Sequence, residues 1–305
     1  MNIFSDIVNS LPGAVAQGLI WGIMAVGVFI TYKILDIADL TVDGSICTGM
    51  AVCAVLMTNG VNVWVAMLCS LIAGMLTGLV TGIFHTFMGI PAILAGILTQ
   101  LILWSVNLKI LGGANLALPA RTYDVLVTLL RRESSIFILI AFVVVLVGLL
   151  YWFFGTEFGS AVRATGSNIK MSRAQGINTD FNKIFGLVLS NGIVALSGSL
   201  LAQYSGSADI NSGRGAIVIG LAAVIIGEAI ISKISKNFFI HLIGVVLGGV
   251  VYYIVYQVVI CLKIDTDFLK MLSALVVAIF LAVPYWKKKY FSKPKQLKKG
   301  DVSNA

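Results

Sequence analysis

The chain has 305 residues, 59% of them hydrophobic and 11% charged, with a formal net charge of +8 and a mean hydropathy of +1.00. A soluble domain carries roughly 25% charged residues, so most of this surface is excluded from facing water. The positive charge does not point to nucleic acid, because seven of the lysines lie between Lys287 and Lys299 directly after an apolar run, where they read as an anchor beside anionic lipid.

Taken in chain order, runs long enough to span a bilayer fall at about 13–33, 62–85, 90–111, 136–155, 183–204, 238–260 and 269–286. Two shorter runs, about 45–59 and 216–230, each follow a polar segment containing Gly and Asp. At ~1.5 Å per residue, such a helix reaches only about 22 Å into a ~30 Å hydrocarbon core. Broken helices persist where protein or a water-filled cavity surrounds them. The pattern therefore predicts an all-α polytopic membrane protein with about nine transmembrane segments, two of them discontinuous short helices. The transmembrane domain is expected over 1–285 and a basic cytoplasmic tail over 287–305. The first run follows no basic region and no cleavage site, so it reads as retained.

Orientation follows from the basic side chains. With the N-terminus outside and the C-terminus inside, two thirds of the 21 Lys and Arg residues face the cytoplasm, as the positive-inside bias requires. A shift of 170 residues aligns Gly22-Ile23 with Gly192-Ile193, Ala38-Asp39 with Ala208-Asp209, and Gly74 and Gly78 with Gly244 and Gly248. Repeat one is placed at about 13–111 and repeat two at about 183–286. Five crossings separate them, so the second copy is expected upside down, with a pathway near the repeat interface.

Polar residues inside a membrane are costly unless paired or wetted. The pathway candidates are Asp39, Asp43 and Ser45 at the first break, Asp209 and Asn211 at the second, Gln100 and Asn191 within helices, and Glu228 near the end of the second short helix. The other reading is helix capping for Asp39 and Asp209, each of which precedes a helix by a few residues, and interhelical hydrogen bonding for Gln100 and Asn191. Gly74, Gly78, Gly82, Gly244 and Gly248 are read as close-packing positions. Cys47, Cys53, Cys69 and Cys261 have neither metal nor redox spacing, and His85 and His241 read as interfacial or packed. No catalytic and no metal-binding constellation stands out.

The loop 157–182, EFGSAVRATGSNIKMSRAQGINTDFN, falls on the cytoplasmic side and is patterned enough to hold a short helix, with Gly166 and Gly176 as its expected ends. Its residues Gly159, Arg163, Ala164, Gly166 and Asn168, followed by Ala174, Gly176, Ile177 and Asn178, resemble the cytoplasmic loop of ABC importer permeases of the branched-chain amino-acid and ribose type. Leu35-Asp36-Ile37-Ala38-Asp39-Leu40-Thr41-Val42-Asp43-Gly44-Ser45 and Gly192–Gly198 with Gly220-Leu221-Ala222 resemble the two repeat cores of that family. The extended first stretch is most similar to a sub-branch associated with aromatic amino-acid import, tryptophan or tyrosine. The resemblance implies an ATPase-coupling role for the nine loop residues. It also implies a second permease copy, two cytoplasmic ATPase subunits and an extracytoplasmic substrate-binding protein, all assembled around the lipid bilayer.

The chain has no G-x-x-x-x-G-K-[ST] phosphate cradle. The expectation is thus a permease without cofactor, its ATP bound by a partner subunit. The alternative is a stand-alone ion-coupled secondary transporter or channel, working through Asp39, Asp209 or Glu228.

Overall fold

The computed structural model describes residues 3–119, 122–231 and 237–261, with isolated helical positions between 271 and 282 and backbone alone over 3–8. The predicted run 269–286 (those positions apart), the basic tail 287–305, Arg121, Lys233, Lys236, Lys263 and Lys270 lie outside the described residues.

The described chain is helical almost throughout. Helix α1 (Ile3–Phe29) continues as a π-helical stretch, Ile30–Ile34; α2 (Val42–Thr58), α3 (Val63–Thr86) and α4 (Ala92–Leu111) follow. After strand β1 (Asn115–Ala117) come α5 (Arg132–Gly155), α6 (Glu157–Ser167), α7 (Ile169–Ala174) and α8 (Thr179–Ser205). Strand β2 (Ser207–Asp209), α9 (Ala216–Ile231) and α10 (Phe238–Cys261) complete it. The termini of the helices follow local chemistry. The side chains of Asn62, Thr156, Asn168 and Asn178 each accept a hydrogen bond from the first turn of α3, α6, α7 and α8, satisfying donors that a helix leaves unpaired. Gly112 (φ 67°) and Gly206 (φ 71°) close α4 and α8 in the left-handed conformation that glycine adopts without strain.

Among the described residues, six helical stretches are long and apolar enough to cross a bilayer: α1 with its π-helical turns, α3, α4, α5, α8 and α10; α2 and α9 are shorter apolar helices. Polarity is inverted relative to a soluble protein. Leu68, Ile72, Leu76, Leu101, Phe137, Val144, Leu149 and Trp152 stand exposed on α3, α4 and α5, while Thr77, Thr81, Thr99, Asn107, Ser190 and Asn191 are buried. That is the arrangement expected of helices whose solvent is lipid.

The interior is built around α1 and α8. Helix α3 packs along α8 and α10 along α1 and α9. Small residues allow these approaches: a Cβ on Gly74 or Gly78 would overlap backbone of α8 at Asn191 or Leu187, and one on Gly248 would overlap Ala223 of α9. These glycines therefore pack within the subunit. Serine hydroxyls extend the same contacts, Ser190 Oγ donating to the Gly27 carbonyl at 2.7 Å and Ser197 Oγ to that of Ile20 at 2.7 Å.

The two ends of the bundle differ. At one, β1 pairs antiparallel with β2 in the register Asn115↔Asp209, Leu116↔Ala208, Ala117↔Ser207, and Leu126 N donates to Gln203 Oε1 at 3.0 Å. At the other, α6 and α7 lie across the π-helical end of α1 and the start of α8. One predicted boundary moves. Helix α1 starts at residue 3 rather than 13, because a helix continues beyond the apolar stretch that dissolves it. Gly166 lies in the last turn of α6, which ends at Ser167, and also packs against Ile34, and Gly176 (φ 79°) follows the end of α7.

Candidate functional site

The two breaks meet inside the bundle. In the first, Asp36 adopts φ 55°, a left-handed turn that Asp tolerates better than most residues. Asp39 beyond it is 2% exposed. Its Oδ1 accepts from Thr41 N at 2.9 Å and its Oδ2 from Asn191 Nδ2 at 2.7 Å. Asn191 Oδ1 in turn accepts from Ser45 Oγ at 2.6 Å, and Ser45 Oγ lies 2.7 Å from Thr77 Oγ1. Three predicted residues, Asp39, Ser45 and Asn191, are thus brought together as a closed polar tie between α8, α2 and α3. In the second break Asp209 Oδ1 accepts from Asn211 N at 2.6 Å, the same two-residue turn that Asp39 makes. Asn211 itself is exposed.

Asp43 acts across the breaks. Its carboxylate accepts from Gly215 N at 2.9 Å and from Ile217 N at 2.8 Å, capping α9 from the head of α2. A carboxylate there satisfies orphan donors and faces the positive end of the helix dipole. Cys47 Sγ accepts from Gly213 N at 3.2 Å beside it.

Two cavities flank this junction. One of about 190 Å³ is lined by Asp43, Gln100, Trp104, Asn107 and Arg214, among others. The other, of about 300 Å³, is lined by Trp21, Ser212, Arg214, Tyr252, Tyr253 and Tyr256, among others. Of the predicted pathway residues, Asp43 and Gln100 line a cavity here. The sequence reading missed Arg214 and the aromatic group as site residues. A cation within a break between apolar runs, and tyrosines at 252, 253 and 256 inside a span, were the signals available.

At the α6–α7 end, Glu228 is shared: Lys33 Nζ lies 3.5 Å from Oε2 and His241 Nδ1 2.7 Å from Oε1. A cavity of about 400 Å³ opens beside them, lined also by Arg163, Gly166 and Phe238. His241 is thus an ion-pair or hydrogen-bond partner, more specific than the packed residue expected. The Arg163 guanidinium stands 5.7 Å from the Phe238 ring centroid and donates to Ser160 Oγ at 3.3 Å.

The nine predicted loop residues divide into two groups. Gly159 and Gly166 face the bundle, where a Cβ would overlap the carbonyls of Phe153 and Ile34; Ala164 and Ile177 are half-buried. Asn168 and Asn178 cap α7 and α8. Asn182 Nδ2 fastens α6 to α8 through Thr165 Oγ1 at 2.9 Å, and Arg173 pairs with Asp180 at 3.2 Å. What projects is α7: Ile169 and Met171 are exposed, together with Lys170 and Ala174. Among the described residues no group of three His, Cys, Asp or Glu side chains is placed to hold a metal ion.

Comparison with known proteins bears on all of this. The family model described as "Branched-chain amino acid transport system / permease component" matches residues 11–284. The chain is 38% identical over 276 residues to a "Tyrosine transport system permease protein" of Clostridioides difficile (strain R20291), covering 90% of this chain and 91% of that one. It is 32% identical over 279 residues to an uncharacterized protein of Rickettsia prowazekii (strain Madrid E), covering 90% and 97%. It is 30% identical over 248 residues to the "Autoinducer 2 import system permease protein LsrC" of Escherichia coli (strain K12 / DH10B), covering 78% and 70%. No solved structure matches. Because the family match takes in both broken helices and the α6–α7 pair, the chain belongs to the family described as the permease component of branched-chain amino acid transport systems, and is a multi-pass bacterial membrane subunit rather than an enzyme.

Proposed function

We propose that this permease is the translocation subunit of an ATP-driven importer for an amino acid, an aromatic one in particular. In this reading the β1–β2 end faces outward to a substrate-binding protein and the α6–α7 end faces the cytoplasm. The membrane part has nine crossings, α2 and α9 among them, and works as two copies with two ATPase subunits that bind the ATP. The observation that carries the coupling assignment is α7: Ile169 and Met171 project as an apolar knob directly after α6, which is fastened to the bundle through Gly166 and through Thr165 with Asn182. A rigid knob transmits force only if its root cannot slide.

An inverted repeat is supported by the pairing of α1–α3 with α8–α10. Helix α3 lies on α8 as α10 lies on α1. Asp39 and Asp209 make the same turn, and Asp43 and Gly213, 170 residues apart, meet. Discontinuous helices at a repeat interface are the usual place for a substrate path. The aromatic substrate is supported by the tyrosine system named for one relative.

The test is to replace Met171 by Glu and purify the permease with its ATPase. The expected result is a correctly inserted permease that no longer retains the ATPase or drives uptake. A variant that keeps both the ATPase and normal uptake would overturn the docking assignment.

A further inference from the structure

The two cavities beside the helix breaks share one side chain, Arg214, and each offers a group that a ligand could engage. Arg214 sits in the second break, one residue before Gly215 and two before the start of α9. Its guanidinium has no hydrogen-bond or ion-pair partner among the described residues, although Asp43 lies nearby. The Asp43 carboxylate is turned to the backbone of α9, where it accepts from Gly215 and Ile217. Arg214 is exposed at the junction, so its guanidinium is open to a ligand, and its planar fork suits a carboxylate.

The smaller cavity holds the complementary deficit. Asn107 is 1% exposed, and its Oδ1 is the buried side-chain N or O atom without a partner among the described residues. Its Nδ2 points to the Gly44 carbonyl at 3.4 Å. This fixes the amide's orientation, because the flipped amide would set two acceptors against each other. An unpaired buried acceptor beside the Asp43 carboxylate and Gln100 calls for a donor, and for a cationic one. The larger cavity supplies an aromatic lining: Trp21 stacks on Tyr253 with ring centroids 5.7 Å apart, and Tyr256 lies 5.8 Å from Tyr253 and 6.4 Å from Tyr252.

We propose that these cavities are the two halves of a single site for an aromatic α-amino acid. Arg214 holds the α-carboxylate between them. Asn107 Oδ1, with Asp43 behind it, receives the α-ammonium in the smaller half. The ring lies among Trp21, Tyr253 and Tyr256 in the larger half, where offset or edge-on ring packing is favoured. The proposal rests on the amino-acid importer reading and gives the permease itself a part in selecting the substrate. A ligand lacking the ammonium leaves the buried Asn107 Oδ1 unpaired, and this penalises it more than a lost contact would.

The test uses the full complex of permease, ATPase and binding protein in proteoliposomes, with ATP-driven uptake of radiolabelled L-tyrosine as the readout. Arg214→Gln is expected to lower uptake kcat/KM about tenfold or more, with partial recovery in Arg214→Lys. Asn107→Leu is expected to lower it similarly while thermal stability is kept, since a purely structural asparagine with one weak bond would leave transport unchanged. Unchanged tyrosine uptake in both Arg214→Gln and Asn107→Leu overturns the site. So does an anionic phospholipid that copurifies with the parent and is lost in Arg214→Gln while uptake is unaffected, because Arg214 would then be a lipid anchor. A parent complex that moves no amino acid overturns the substrate reading beneath the proposal, and is told apart by failing before any substitution is made.

Discussion

Gly213 and Asp43 sit so close that a Cβ on the glycine would overlap the aspartate's carbonyl oxygen. The contact joins the heads of two short helices that approach from different parts of the chain, and Cys47 Sγ and Ile46 crowd the same point. Gly213→Ala must therefore force α2 and α9 apart. The expected cost is about 1–3 kcal/mol, as for other overpacked interiors. A lower thermal midpoint of the detergent-solubilised protein, together with reduced uptake, would show it. An unchanged midpoint would mean that the junction yields more easily than its packing indicates.

Asn191 should be hard to replace. It donates to the Asp39 carboxylate and accepts from Ser45, so Asn191→Leu takes one partner from each, leaving Asp39 with Thr41 N and Ser45 with Thr77. A loss of about 1–3 kcal/mol is expected, set by the Asp39 Oδ2 that is left unpaired, and Asn191→Asp should fare no better because it sets a second carboxylate against the first. Chemical denaturation in detergent measures both. Near-parental stability in Asn191→Leu would show that water reaches Asp39.

Gly166→Ala separates coupling from docking. The added methyl would overlap the Ile34 carbonyl, lifting α6 off the end of α1 while leaving Ile169 and Met171 exposed for a partner. The ATPase is expected to copurify as before, with ATP hydrolysed but substrate uptake strongly reduced. Normal uptake would place the transmitting contact elsewhere, at Asn182 or Arg173.

Glu228→Gln removes the charge that Lys33 and His241 share. The partners are partly exposed, Lys33 by 55% and Glu228 by 20%, so the pair contributes only about 0–1 kcal/mol and thermal stability should change little. The effect is expected in transport, because the three residues hold the ends of α1, α9 and α10 beside one cavity. Uptake that is insensitive to the substitution would reduce the cluster to a surface ion pair.

The membrane character, both short helices and the presence of helix in the segment 157–182 were legible because each depends on local chemistry: apolar run length, a polar break, caps at Asn168 and Asn178. The roles within them were less so. Asp43 was read as a pathway group at its own break, yet it caps the helix of the other break, 172 residues along the chain. Sequence periodicity carries no trace of such a pairing. Gly166 looked like a helix end because glycine commonly serves as one; only the approach of Ile34 shows that it is also a packing position. Arg214 was counted for its sign in the topology, and its lack of an ion-pair partner among the described residues became visible only once Asp43 was seen to be turned to the backbone.

The exchange of packing partners between the first and last thirds of the chain also bears on how the protein is made. When α1 and α3 enter the bilayer, the surfaces that Gly18, Gly22, Gly74 and Gly78 offer have nothing to receive them, since α8 and α10 have yet to be synthesised. The early helices must wait in lipid with their narrow faces bare, and ribosome stalling or truncation before residue 205 would leave a bundle that inserts without ever closing. Such fragments should be the preferred substrates of membrane proteases, and halves expressed from separate messages should assemble only when produced together.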